Sequence, residues 1–151
     1  MYLRYPPKIK VLEALASIAD GRVKLLGNGY AEVTSSDGSR KYKVYVDLSR
    51  GEACSTDNGT LLRGYIGYPI IAVLMALNKL PIDERIANAL KGINWRELNE
   101  RFKKYSLVEE YVKKLAMKKG LNPNVIDMYR DRVYTLVKKL RLRLVVSKCK
   151  E

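Results

Sequence analysis

Over residues 8–19 apolar side chains recur at helical spacing, with Val11, Leu12, Leu15 and Ile18 on one stripe and Asp20-Gly21 as a stop. This predicts a helix packed on a core through that stripe. From residue 22 the period shortens to two. Tyr42, Val44, Val46 and Leu48 would share one strand face, with Lys43, Tyr45 and Asp47 on the other. Gly27-Asn28-Gly29, Asp37-Gly38, Arg50-Gly51 and Asn58-Gly59 supply the positive backbone angles that close tight antiparallel connections. Strands are therefore expected at about 22–26, 30–35, 40–48, 52–56 and 60–65. From Ile70 to Leu77 the chain becomes solidly apolar, and Pro69 stands where a helix accepts proline, at its first position. A buried helix over about 69–79 follows, ending before Pro81.

Beyond Pro81 the pattern is helical almost to the end. Asp83 is placed to cap a short helix that Gly92 ends, and Asn94 with Glu97 has the spacing of a capping box. The helix expected at about 95–105 carries Trp95, Leu98 and Phe102 on one stripe, and the next, at about 107–119, carries Val108, Tyr111, Val112 and Leu115. Glu109/Lys113 and Glu110/Lys114 are i,i+4 pairs in the favourable order. Asn122-Pro123 opens a last helix whose Ile126, Tyr129, Val133, Leu136 and Leu140 form a narrow seam. That seam suits antiparallel packing within the chain and the pairing of two copies equally well. The tail from Leu140 alternates apolar and basic residues. We read the helix as continuing to about Arg143, with a strand added to a sheet edge as the rival.

The first half of the chain resembles the SWIM-type zinc finger. The initial helix KIKVLEALASIADGRV, the strands, Cys54 and the glycine-rich approach to GYPIIAVLMAL carry the likeness, over roughly residues 8 to 80. The resemblance implies zinc ligands at the positions of Cys54, Thr56, Gly67 and Pro69, and only Cys54 has ligand chemistry. A tetrahedral zinc needs four nitrogen or sulfur donors, so no metal is expected. The resemblance also implies DNA binding or protein–protein contacts, in settings that include recombination and repair. Without an activating base, Cys54 reads as a packed thiol that behaves as a small hydrophobe.

Composition changes the picture in two ways. The chain of 151 residues holds no histidine and no glutamine, and 30% of it is charged. Lacking histidine, it lacks the commonest general base and metal ligand. Together with the scarcity of glutamine, the charge content hints at a thermophile. The net charge of +13 is also unevenly spread. Residues 1–60 hold nine Lys/Arg against seven Asp/Glu, a net of +2, whereas residues 61–151 hold twenty against nine, a net of +11. Such asymmetry points to a polyanionic partner. Two cysteines make no disulfide framework, so a reducing cytoplasm is the expected setting. The longest apolar run falls short of the ~20 residues of a membrane span, and the N-terminus MYLRYPPKIK lacks a secretory signal's apolar stretch.

These readings combine into an α+β protein: a SWIM-like domain over 1–80 without zinc, and a basic helical region over 81–151 packed on it. The candidate nucleic-acid contacts are Lys103, Lys104, Lys113, Lys114, Lys118 and Lys119 on two neighbouring helices, then Arg130, Arg132, Lys138, Lys139, Arg141 and Arg143. Cations at this density bind phosphates with steep salt dependence. Tyr105, Tyr129 and Tyr134 interleave with them, and stacking on bases is open to any that face solvent. Arg40, Lys41 and Lys43, beside Tyr45, offer a smaller surface, although alternating lysine more often blunts a strand edge. There is no acid/base pair, triad, P-loop or cofactor fingerprint. Asp47 and Asp57 alone do not make a cation site. The expectation is a non-catalytic nucleic-acid-binding or accessory protein without a cofactor, DNA favoured over RNA. The alternative is an adaptor or homodimer that uses the last helix, its charge serving solubility.

Overall fold

Helix α1 (Ile9–Ala19) is buried along most of its length, because Ile9, Val11, Leu12, Ala14, Leu15 and Ala16 leave almost no polar face. The computed structural model describes residues 1–150, so Glu151, the end of the expected helical region, lies outside the described residues. On one side of α1 lies α3 (Tyr68–Ala76), which packs in turn on the sheet. Pro69 to Met75 of α3 are all buried, as expected of a helix that is apolar all round. On the other side lie α4 (Glu84–Leu90) and α7 (Pro123–Lys138), while α5 (Trp95–Phe102) and α6 (Tyr105–Lys118) pack against each other. One hydrophobic cluster runs from Leu3 through the sheet and α3 to Val137 and Leu142, so the strand half and the helical half share a core.

The sheet has the order β1 (Val23–Gly27), β2 (Tyr30–Thr34), β3 (Lys41–Asp47), β4 (Glu52–Ser55) and β5 (Arg143–Leu144). The first four form the expected antiparallel meander, and Gly27, Asn28 and Gly29 all take positive φ to close its first hairpin. Val44 and Val46 face the core, whereas Leu48 falls in the turn after β3 and is exposed. The molecule is thus α+β, with α3 packed on the sheet, α1 on α3, and α4 and α7 on α1.

Two expected elements come out differently. The strand expected at 60–65 is a single helical turn, α2 (Asn58–Leu61), because the Asp57 carboxylate accepts the Thr60 N–H at 3.1 Å and caps it. The fifth strand comes instead from the tail. Helix α7 ends at Lys138, and β5 then lies parallel to β4, with the Val145 N–H donating to the Ala53 carbonyl at 3.0 Å. The strand-period rival for the tail is the correct one. The far side of β5 is covered by the N-terminus, since the Leu144 N–H donates to the Met1 carbonyl and the Leu3 N–H to the Leu142 carbonyl, each at 2.8 Å.

The cysteines also correct the sequence reading. Cys54 is bonded to Cys149 across 95 residues. Cys54 lies opposite Tyr45 in the β3–β4 register, on the face of the sheet away from α3. The closing 3-10 turn (Val146–Cys149) crosses that face, and Lys148 sits 5.1 Å over the Tyr45 ring. This cover explains why Tyr45 is only 5% exposed although its strand neighbours Val44 and Val46 face the opposite way. The packed thiol is therefore half of a covalent staple that holds the tail on the sheet.

The staple yields a first prediction. Native protein should show no free thiol, and Cys54→Ala with Cys149→Ala should lower unfolding stability by about 2–5 kcal/mol. Urea denaturation with and without reductant measures this, and the variant should be indifferent to reductant.

Candidate nucleic-acid interface and polar cavity

The expected basic residues divide according to what surrounds them. Arg130 is largely buried among acids: it pairs with Glu109, with Asp127 at 3.3 Å and with Asp131 at 2.8 Å. Lys113 joins the same cluster through Asp127 and Glu109. These two cations fasten α6 to α7 and are not free to neutralise phosphate. Lys114 pairs with Glu110 at 3.6 Å, Lys41 lies 3.9 Å from Glu32, and Arg143 donates to Glu52 at 2.9 Å. Lys119 donates to the Ala89 carbonyl at 3.0 Å beside a smaller cleft of about 330 Å³. Lys43 lies 5.5 Å from the Tyr30 ring centroid. Lys103, Lys104, Lys118, Arg132, Lys138, Lys139, Arg141 and Arg40 are exposed and have no ion-pair partner among the described residues.

The seam of the last helix faces inward. Ile126, Tyr129 and Val133 are buried, joined by Val137 rather than by Leu136, and the Tyr129 hydroxyl donates to the Pro81 carbonyl at 2.7 Å. The chain's own core covers the surface that a homodimer or protein partner was expected to use. Tyr129 and Tyr134 are likewise tied down, the latter donating to the Pro6 carbonyl at 2.8 Å.

The free cations that meet exposed rings lie where the termini join. Arg141 sits 4.8 Å from the ring centroid of Tyr2, which is 55% exposed, and Tyr5 is 59% exposed nearby in the chain. Lys138, and Lys8 with its ion pair to Asp131 at 3.7 Å, approach the half-buried Tyr134 ring at 5.8 and 5.7 Å. The backbone of Arg4 bridges to Tyr65, its N–H donating to the Gly64 carbonyl at 2.8 Å, and its guanidinium reaches the Arg63 carbonyl. Arg63 and Tyr65 in turn line a cavity of about 410 Å³. A strip of exposed cations and rings thus leads from the termini to that cavity. Sequence reading missed its N-terminal half, because Tyr2, Arg4 and Tyr5 join Arg141 only through the pairing of residue 2 with residue 143.

The cavity gathers side chains from distant segments. Its wall on α1 is Lys10 and Glu13. Glu13 is only 3% exposed, accepts the Asn99 amide at 2.7 Å on Oε1, and holds the Lys10 ammonium 2.8 Å from Oε2. The Lys10 ammonium thus balances the buried carboxylate. Asn99 Oδ1 and Trp95 Nε1 are buried without a partner. Arg96 fixes α5 to the β2–β3 turn through Asp37 at 3.6 Å and the Ser39 hydroxyl at 3.0 Å. Three hydrogen bonds from Ser35 and Ser39, together with Arg96 nearby, hold the Asp37 carboxyl at about 2. Behind the cavity, Gly67 lies so close to Asp57 that a β-carbon there would come within 2.2 Å of Oδ2.

Rings make up much of the remaining lining. Tyr42 and Tyr68 meet edge to face at 6.2 Å, and Lys10 lies 5.1 Å from the Tyr105 ring centroid. Burial raises the phenols of Tyr42 and Tyr68 and pushes Tyr65 up to about 12, against the pull of Lys10. These hydroxyls remain neutral donors and acceptors at physiological pH. Burial works against the charge on Lys10, but Glu13 and the neighbouring phenols outweigh it and raise its pKa, so the ammonium stays protonated. At the rim stand Arg40 and Arg63, both exposed and without an ion-pair partner among the described residues.

The chain belongs to the family described as Uncharacterised conserved protein UCP014422, whose model matches residues 3–143. No curated protein and no solved structure matches it. The match takes in both halves of the shared core and the residues of the cavity. Among the described residues no helix is long and apolar enough to cross a membrane.

Lys10 and Glu13 make a second prediction. Lys10→Met leaves a buried carboxylate without its counter-ion and should destabilise the fold by about 3–5 kcal/mol. Lys10→Met combined with Glu13→Leu should recover most of that loss. Urea denaturation of the two variants decides, and equal losses in both would mean that the ion pair is not what the site depends on.

Proposed function

We propose that this protein is a non-catalytic nucleic-acid-binding protein, with single strands its preferred form and DNA favoured over RNA. One observation carries the reading: exposed rings and cations without an ion-pair partner meet along the joined termini, with Arg141 over Tyr2, Tyr5 exposed next to Arg4 in the chain, and the Arg4 guanidinium reaching the carbonyl of the exposed Arg63. Single strands are bound by this combination, in which cations follow the backbone and aromatic rings stack on bases. Lys138 and Lys139 add charge at the end of α7, and Lys103 and Lys104 add it next to Tyr105 on the far side of the cavity. The meander and buried helix, SWIM-like in their order, act as the scaffold that holds the strip.

The cytoplasm remains the setting within this proposal. An intramolecular disulfide is compatible with it in a chain of thermophilic composition, because hyperthermophiles keep disulfides inside the cell. The adaptor reading loses its main support, since the helix seam it required is internal.

Fluorescence anisotropy with labelled single- and double-stranded DNA and RNA at two salt concentrations tests the proposal. Affinity should be highest for single strands and should fall steeply between about 50 and 200 mM salt. Arg4→Gln with Arg141→Gln should weaken binding about tenfold or more, and Tyr2→Ala should cost about 1–3 kcal/mol. An absence of binding at low salt would sink it.

A further inference from the structure

We propose that the cavity between α1, α5 and the β2–β3 turn binds a nucleoside monophosphate group, free or at the end of a strand. The inference rests on the nucleic-acid reading only for the second of these sources. Size comes first. About 410 Å³ lies within the range of small-ligand sites, roughly 300–1,000 Å³. Chemistry narrows the occupant. The lining supplies flat rings from Tyr42, Tyr65, Tyr68 and Tyr105, which suit a planar heterocycle and offer neutral hydroxyls to it.

A sugar or an aliphatic acid would leave that aromatic area without a matching face. A base also needs both donors and acceptors at its edge. The α1–α5 wall provides them: the nearly fully buried Trp95 indole N–H as a donor and Oδ1 of the half-buried Asn99 as an acceptor, neither with a hydrogen-bond partner among the described residues, beside the Lys10–Glu13 ion pair. Unpaired buried polar atoms are costly, and a small shift of the wall toward a bound base would relieve that cost.

Charge sets the orientation. Inside, Lys10 is matched by Glu13, and Arg22 is committed to Asp20 at 3.2 Å and to the Thr34 carbonyl at 2.7 Å. The uncompensated cations are at the rim, Arg40 and Arg63, and planar guanidinium groups pair with phosphate through two hydrogen bonds at once. The base would lie inward among the rings and the phosphate outward between the arginines. Arg63 also belongs to the strip from the termini, so a strand lying on that strip has its end beside the mouth of the cavity.

Trp95 is the chain's one tryptophan, so its fluorescence reports on this wall alone. The test titrates the full-length protein with adenosine, guanosine, cytidine and uridine 5′-monophosphates, with the matching nucleosides, and with inorganic phosphate. At least one monophosphate should change the Trp95 emission saturably, and its nucleoside and phosphate alone should bind at least tenfold more weakly. Arg40→Gln should weaken the monophosphate about tenfold, as expected for a lost charged hydrogen bond. Lys79→Gln, which removes a like charge beyond the C-terminal end of α3 and outside the cavity lining, should not.

A parallel arm compares oligonucleotides with and without a terminal phosphate. A preference for the phosphorylated end, lost in Arg40→Gln, would identify a strand terminus as the source. Binding of monophosphates without that preference would identify the free nucleotide. Two outcomes overturn the inference: no saturable response to any monophosphate or phosphorylated end, or a response that Arg40→Gln leaves intact. Oligonucleotides that bind with steep salt dependence but show neither effect would sink the cavity while leaving the strip standing. Monophosphate binding with no oligonucleotide binding would do the reverse.

Discussion

A carboxylate on the central helix constrains much of the rest of this molecule. Glu13 lies on α1, where nearly every neighbour is apolar and buried, and a charge in that position is costly unless it is paired and hydrogen-bonded. Its two partners come from different places: Lys10 from the previous turn of the same helix, and Asn99 from α5, far along the chain. Satisfying Glu13 therefore fixes α5 against α1. Arg96, on the same helix, fixes α5 to the β2–β3 turn. The space enclosed by these attachments is the polar cavity. It is lined with rings because Tyr42, Tyr65 and Tyr68 stand where the meander, the segment after α2 and the start of α3 converge on α1.

The same economy appears at the opposite side of the sheet. β4 would be an edge strand if the chain ended with its helices, and edges invite pairing with other chains. Here the tail supplies β5, the N-terminus covers β5, and the Cys54–Cys149 bond locks the arrangement. The two termini are thereby brought together, and their exposed side chains, Tyr2, Arg4 and Arg141, become one surface. A structural solution to an edge problem thus also creates the strip proposed to bind nucleic acid.

Much of the fold could be read from local pattern because its causes are local. Helix α1, the four-stranded meander, the all-apolar α3 and the caps at Asp83, Asn94 and Asn122 each follow from residues within a few positions of one another. The Asn94–Glu97 spacing, for example, delivers the Glu97 N–H to the Asn94 side chain at 3.1 Å. What depended on distant partners was not legible. A count of cysteines does not reveal that the tail carries Cys149 onto Cys54, and a count of lysines and arginines does not reveal that Glu109 neutralises Arg130. The cavity was hidden for the same reason, since it combines residues from 10 to 105. One sequence signal did exist. Glu13 interrupts a helix that is apolar on nearly every side, and Lys10 stands three residues before it, the spacing of a pair on one helix face.

The most direct test of the whole account is a map of where a bound strand touches the protein. Amide and indole resonances of isotopically labelled full-length protein, followed while a 5′-phosphorylated single-stranded oligonucleotide is added, would provide it. The account predicts shifts at Tyr2, Arg4, Arg63 and Tyr65, together with the single Trp95 indole N–H. Shifts confined to the outer faces of α6 and α7 around Lys114, Lys118 and Arg132, with the indole unmoved, would contradict it.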